Sequence, residues 1–321
     1  MRATLALSAI ALLTAATCTA ATPREILVPP GVDDVDTPRT NSTVCIDTAA
    51  HPGVTTCSCT GTLVRADLVV TAGHCTRASF DGEGVTPDRW HRMSDLFGRD
   101  SGWTIGFGPN RNRFRDQIDV THVASATGVD MILLALERPV DPSIAVPARL
   151  LIENPETIDW SAQTFTVAGW GKTDPNQAPP TRRKTASASH GEYPCGYWGT
   201  PTPLPSNLFC AETPTAAGDS GGPLYWTDLF GTRFLVGALG AGGGGGRAVY
   251  TSTFGTGGPI PLGQWFESFL DEPNPNDAPL AKSCLAARQP AATLLFPYFE
   301  VDLAHPNRPS TNITIGNATG G

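Results

Sequence analysis

Glycine and proline punctuate this chain so often that few stretches are left in which a helix could run. Thirty-four Gly and 29 Pro are scattered through 321 residues. Proline fixes φ and removes a backbone donor, and glycine loses the most conformational freedom in a regular element. Such a chain favours many short strands joined by turns. With 40% hydrophobic residues it can bury a sizeable core, as one large all-β domain or two smaller ones. The formal charge of -8 and pI near 5.2 argue against a nucleic-acid backbone as partner, because phosphate binding needs clustered Lys and Arg. The longest basic run, Arg182-Arg183-Lys184, is too short to reverse that.

Residues 1–21 read as a secretory signal: Arg2, an apolar run starting at Leu5, then small residues suited to cleavage near Ala20 or Ala21. The run is too short for a membrane span. A buried N-terminal helix is the weaker alternative. Cys18 opens another, in which it is kept and acylated, but Thr17 stands where Gly, Ala or Ser is usual. The mature chain is therefore expected to be secreted, with no transmembrane segment, and residues 22–44 to form an N-terminal or pro segment. Export makes disulfides the default state of cysteine. Without Cys18, seven remain: Cys45, Cys57, Cys59, Cys75, Cys195, Cys210 and Cys284. An odd number leaves at least one thiol free or paired outside the domain. Cys57-Ser58-Cys59 lacks a second close ligand pair, so no zinc site is read there, and no metal or cofactor is called for.

Three stretches carry chemistry. In CSCTGTLVRADLVVTAGHC, 57–75, the apolar strand at 68–70 runs straight to His74, which would sit where a buried strand meets a turn. In VDMILLALERPV, 129–140, Asp130 stands just ahead of a run that reads as a buried strand, and a carboxylate there is costly unless its charge is compensated. In GDSGGP, 218–223, Ser220 is flanked by glycines whose backbone N–H groups can approach a ligand closely. A serine hydroxyl is a poor nucleophile at neutral pH; it needs a base within hydrogen-bond reach, and the base needs a third group to hold its tautomer. Asp119 is a rival carboxylate but lacks an apolar strand after it. GDSGG also fits the G-x-S-x-G elbow of α/β-hydrolases, a fold that needs the Asp and His after the serine; here only His305 follows.

At these residues the chain resembles the trypsin-like (chymotrypsin-fold) serine proteases. The matching pieces are CTGTLV with VVTAGHC, DMILLAL, VAGWGKT at 167–173, NLFCAE at 207–212, GDSGGP and QWFESFL at 264–270, in the family's order from residue 57 to 271. The resemblance implies an all-β fold over 45–271: two packed six-stranded antiparallel β-barrels, the site in the cleft between them, and a short C-terminal helix. It implies a monomeric secreted serine endopeptidase that cleaves protein or peptide substrates through an acyl-enzyme. His74 would be the base, Asp130 its orienting carboxylate and Ser220 the nucleophile, with the N–H groups of Gly218 and Ser220 as the oxyanion hole. An inactive binding homologue and an esterase with the same triad are the alternatives. The resemblance also implies disulfides Cys59–Cys75 and Cys195–Cys210. Cys45–Cys57 is a candidate third, leaving Cys284 over.

Departures from the family pattern bear on specificity. Pro214 stands where trypsin carries the aspartate that binds Arg or Lys, so cleavage after basic residues is not expected. Ala216 replaces a usual cysteine and 238–254 has none, so that bridge is lost as a unit; the glycine run is expected to form a shortened, flexible wall of the primary pocket. With Gly240 and Gly242 in that wall and Thr215, Ala216 and Ala248 nearby, the lining is uncharged, which suits a small or apolar residue before the scissile bond. Asp219 is where family members bind a new N-terminus. The usual Ile-Val-Gly-Gly is missing and Ile26 is the nearest candidate, so activation by cleavage between Arg24 and Ile26 is expected. The front end also resembles the bacterial glutamyl endopeptidases, although Leu239 stands where their glutamate-binding histidine would be. Beyond residue 271, a linker leads to a short C-terminal β extension, the opening of a module that stops before completion. Asn41, Asn312 and Asn317 lie in N-x-S/T sequons. Arg99, Arg111, Arg113 and Arg115 read as a solvated surface loop and strand.

Overall fold

The computed structural model describes residues 32–48, 56–76, 87–98, 102–153, 158–172, 180–191, 207–213, 215–243, 246–256 and 259–277. Its strands close into two antiparallel barrels of six. The first holds β1 (Thr43–Asp47), β2 (Cys59–Arg65), β3 (Leu68–Thr71), β4 (Thr104–Phe107), β5 (Asp116–Ser125) and β6 (Ile132–Leu136). The second holds β7 (Thr164–Gly169), β8 (Lys184–His190), β9 (Leu208–Glu212), β10 (Pro223–Thr227), β11 (Arg233–Gly243) and β12 (Arg247–Ser252). Both rings have one topology: first, second, third, sixth, fifth and fourth strand, with the fourth returning to the first. Closure leaves neither ring an open edge to pair with another chain.

The unbroken apolar runs in β3 and β6 are explained by burial on both faces. Val69, Ile132, Leu134 and Leu136 point into the first barrel with Ile46, Ile105 and Phe107. Leu68, Val70, Leu133 and Ala135 point outward, into a seam shared with Tyr225, Leu235, Trp265 and Phe266. The second barrel has its own core of Phe165, Val167, Phe209, Leu224, Val236, Leu239 and Tyr250. The C-terminal helix, Leu262–Leu270, buries Leu262, Trp265, Phe266 and Phe269, a single stripe at helical spacing. Its last carbonyls would otherwise be orphaned. Arg65 of β2 satisfies them: Nη1 donates to Phe269 and Leu270 and, one turn on, to Glu272, while Nε donates to Asp67.

The segment before β1 is tied into this frame. Val32–Asp33 pairs with β8. The Arg183 side chain, wholly buried, donates from Nε to Asp34 at 2.7 Å and from Nη1 to the Thr43 carbonyl at 2.7 Å. Its guanidinium also lies 5.4 Å from the centre of the Trp170 ring. The hydroxyls of Ser42 and Thr43 each meet the Tyr225 hydroxyl at 3.0 Å, linking the barrels through their polar groups. In the arginine-rich segment, Arg115 pairs with Asp36, Arg113 is exposed and Arg111 is half-buried; Arg99 lies outside the described residues, as do residues 1–31 and 278–321.

Breaking a buried ion pair from one side strands the other charge. Asp34→Ala is expected to lower the free energy of unfolding by about 3–5 kcal/mol, measured by urea denaturation.

Candidate active site

β3 ends at Thr71, and the chain turns at once into the 3-10 turn Gly73–Thr76, which carries His74. β6 pairs with β3 so that Ile132 faces Thr71, which sets Asp130, two residues earlier, beside that turn. The carboxylate grips His74 twice: Oδ1 accepts the backbone N–H at 2.8 Å and Oδ2 meets ring Nδ1 at 2.8 Å. A carboxylate oxygen can only accept, so Nδ1 carries the proton and Nε2 keeps its lone pair. The hydrogen bond that Nδ1–H donates to Asp130 raises the His74 pKa above the ordinary imidazole value, burial opposes it, and the carboxylate charge adds to the rise. The close fit involves Gly73, where a Cβ would lie 3.1 Å from Oδ1. The second barrel reaches the pair through β11: a Cβ on Gly240 would stand 3.3 Å from Asp130 Oδ2. Thr251 Oγ1 donates to the Asp130 carbonyl at 3.3 Å.

Ser220 lies in the turn that leads into β10, and the backbone groups of that turn can be followed one by one. The Ala216 carbonyl accepts from Asp219 N at 3.0 Å, the Ala217 carbonyl from Lys172 N at 3.0 Å, and the Gly218 carbonyl from Thr60 Oγ1 at 2.8 Å. The Asp219 carbonyl accepts from Gly222 N and the Ser220 carbonyl from Thr60 N, both at 2.8 Å. Gly221 N donates to the Leu239 carbonyl, also at 2.8 Å. Among the described residues the N–H groups of Ala217, Gly218 and Ser220 are left without a partner. Gly218 and Gly221 adopt φ of +106° and +76°, a left-handed region that costs other residues strain. Space is also missing at Gly221, where a Cβ would fall 1.9 Å from Thr71 Oγ1.

Asp219 fastens this turn from inside. Its Oδ1 accepts from Gly171 N at 2.6 Å and its Oδ2 from Ala216 N at 3.0 Å. Burial pushes its pKa up to about 6, against the pull of those two amides. A Cβ on Gly171 would fall 2.0 Å from the carboxylate, and one on Gly169 2.2 Å. The N-terminal residues considered for Asp219, Arg24 to Ile26, lie outside the described residues.

The two halves of the site meet through backbone and sulfur. Cys75 Sγ lies 3.7 Å from the Ser220 carbonyl, and Cys75 is bonded to Cys59 with an S–S distance of 2.05 Å. No hydrogen bond joins Ser220 Oγ to His74 among the described residues. Cys45 and Cys57 form a second disulfide. Cys210 is disulfide-bonded as well; Cys195 and Cys284 lie outside the described residues, as does Pro214.

Of the pocket residues, Ala248 is fully buried, and Thr215 Oγ1 is buried without a hydrogen-bond partner among the described residues. A Cβ on Gly242 would come within 2.6 Å of that hydroxyl. β11 continues into the glycine run as far as Gly243, which pairs with Arg247; Gly244 and Gly245 lie outside the described residues. Thr60, Gly171 and Lys172 are missed by motif reading although all sit within quoted motifs, because their partners in the serine turn are distant in sequence.

Two six-stranded barrels of one topology, with a carboxylate-held histidine at the edge of one and a glycine-bounded serine turn on the other, define the class of double-barrel serine proteases. The family model Trypsin matches residues 39–255, and the chain belongs to the trypsin family. A trypsin-like protease of Streptomyces glaucescens is 27% identical over 215 residues, covering 61% of this chain and 71% of that protein. The thrombin-like enzyme BjussuSP-1 of Bothrops jararacussu is 27% identical over 203 residues, 61% of this chain and 81% of that enzyme. Limulus clotting factor C of Carcinoscorpius rotundicauda is 25% identical over 181 residues, 53% of this chain and 18% of that protein.

A folded-state pKa raised from 3.8 to about 6 means that Asp219 contributes stability below pH 3.8 and loses it as pH rises through 6. Asp219→Asn should therefore flatten the decline in unfolding free energy over that interval, measured by urea titration at stepped pH. Gly171→Ala should cost more than about 2 kcal/mol in the same assay, because the carboxylate has to leave its niche.

Proposed function

We propose that the protein is a secreted serine endopeptidase in which Ser220 attacks the scissile carbonyl, His74 takes the serine proton and returns it to the leaving amine, and Asp130 holds the imidazole. The observation that supports this best is the pair of unspent N–H groups on Gly218 and Ser220 in a turn whose carbonyls are otherwise bonded. Two donors fixed in place can stabilise the negative oxygen of a tetrahedral intermediate without reorganising. The doubly bonded His74 supports its assignment as base, since Nε2 is the free nitrogen and its basicity is raised. The primary pocket would take a small or apolar residue, on the uncharged chemistry of Thr215, Ala216, Gly240, Gly242 and Ala248. Export belongs to the same proposal, supported by the signal-like N-terminus and the disulfides; among the described residues no helix is long and apolar enough to cross a membrane. So does cleavage between Arg24 and Ile26, whose new amine would join the two amides on Asp219. An active form beginning well past residue 40 would refute that cleavage.

The enzyme should be labelled by a fluorophosphonate, and Ser220→Ala should abolish labelling and lower casein hydrolysis by at least about 10⁴-fold. No labelling of the unmutated chain would favour an inactive homologue, and ester turnover without casein turnover an esterase. A peptide-library profile dominated by Arg or Lys before the cleaved bond would overturn the pocket assignment. As a base, His74 must be neutral, so kcat/KM should rise with pH through an apparent pKa above 6.5, and Asp130→Asn should move that pKa down.

A further inference from the structure

We infer that Thr60 is a positioning residue that holds the oxyanion-forming turn from the opposite barrel, an inference that rests on the endopeptidase reading above. Thr60 belongs to β2, pairs with Cys45 on β1 and exposes no surface. Its backbone N–H donates to the Ser220 carbonyl at 2.8 Å, and its hydroxyl donates to the Gly218 carbonyl at 2.8 Å. Those carbonyls belong to Gly218 and Ser220, two of the three residues of the turn, with Ala217, whose N–H groups are unspent. The third polar group of Thr60, its own carbonyl, accepts from Thr71 Oγ1 at 2.8 Å, at the end of the strand that leads to His74. One buried residue thus ties the serine turn to the histidine strand.

The hydroxyl matters because of what sits at Gly218. The Gly218 N–H lies in the peptide unit it shares with Ala217, and that plane is held by Lys172 N on the Ala217 carbonyl. The Gly218 carbonyl lies in the next unit, held by Thr60 Oγ1 on one side and by Asp219 N–H donating to Ala216 on the other. Between the two planes is a glycine at φ +106°, which has the widest freedom to rotate. Fixing a plane on each side of its Cα removes that freedom and keeps the N–H aimed. The Thr60 methyl faces Gly222, 3.4 Å from where a Cβ there would be, so the side chain has little room to turn its hydroxyl elsewhere. Loss of the hydroxyl leaves the second plane held on one side only, with a polar carbonyl unmatched.

The test replaces the hydroxyl and keeps the shape. Thr60→Val should lower kcat on a short ester substrate by roughly tenfold with KM within about twofold, and Thr60→Ser should recover all but about threefold of it. Affinity for a peptidyl boronic acid, whose tetrahedral adduct puts an oxygen in the hole, should fall by the same factor as kcat. Hydrogen exchange of the 217–221 amides, measured in a Ser220→Ala background, should quicken by about tenfold with Thr60→Val. That readout needs no turnover, so it separates the two ideas: an unmutated chain that neither labels nor hydrolyses ends the endopeptidase reading, whereas unchanged exchange ends the role of Thr60. An unchanged kcat, a loss confined to KM, or a failure of Thr60→Ser to recover activity would also overturn it. If Thr60→Val does not fold, Thr60→Ala carries the same expectations.

Discussion

The serine turn depends on a carboxylate with no side-chain partner among the described residues. Asp219 takes Gly171 N–H and Ala216 N–H onto its two oxygens inside a niche that is only as wide as glycine at 169 and 171 allows. Desolvation works against its charge and raises its pKa, so the two amides are what keep it turned inward. Once it is there, the rest of the turn has little choice. Asp219 N–H closes onto Ala216, its carbonyl receives Gly222 N–H, and two glycines with positive φ carry the chain around Ser220. The unspent amides at 218 and 220 are the residue of this bonding, directed by neighbours whose own groups are already committed.

The seam between the barrels explains why the residues proposed for the chemistry collect where they do. Each ring closes on its own core; of the strands that also face outward at the seam, β3, β6 and β10 bear His74, Asp130 and Ser220 at or next to their ends, and β11 passes Asp130 at Gly240. A site built from the ends of strands buried on both faces inherits their rigidity. The Cys59–Cys75 disulfide adds to this by binding β2 to the histidine turn; a loop of its 16-residue separation is worth about 3 kcal/mol in the chain-entropy account. Arg65 at the helix end and Arg183 beneath the N-terminal segment do comparable work at the periphery, each matching groups that would otherwise be buried unpaired.

What could be read from the chain alone follows from the range of each interaction. His74, Asp130 and Ser220 announce themselves because each sits in a local pattern: a polar residue just after or just before an apolar run, or a serine followed by two glycines. Arg183 gives no such sign: within Arg182-Arg183-Lys184 it looks like one more surface cation, and only the approach of Asp34, 149 positions away, shows it to be buried. The glycine run at 242–246 suggests a loose wall, yet a backbone ladder needs no side chains, and β11 extends into it past a bulge near Leu239. Thr60 is the sharpest case, an ordinary threonine in an apolar strand whose hydroxyl partner is 158 residues away.

By itself, then, the order of residues pointed to short strands and singled out three candidate side chains, because alternation, glycine placement and residue type act over a handful of positions; the two-barrel class came from the family resemblance those motifs carry. Tertiary structure alone decided which amides stay free, which carboxylate is desolvated and which threonine reaches across the seam. Those outcomes depend on angstrom-scale distances between strands from different barrels, and no local period in a chain encodes such a distance.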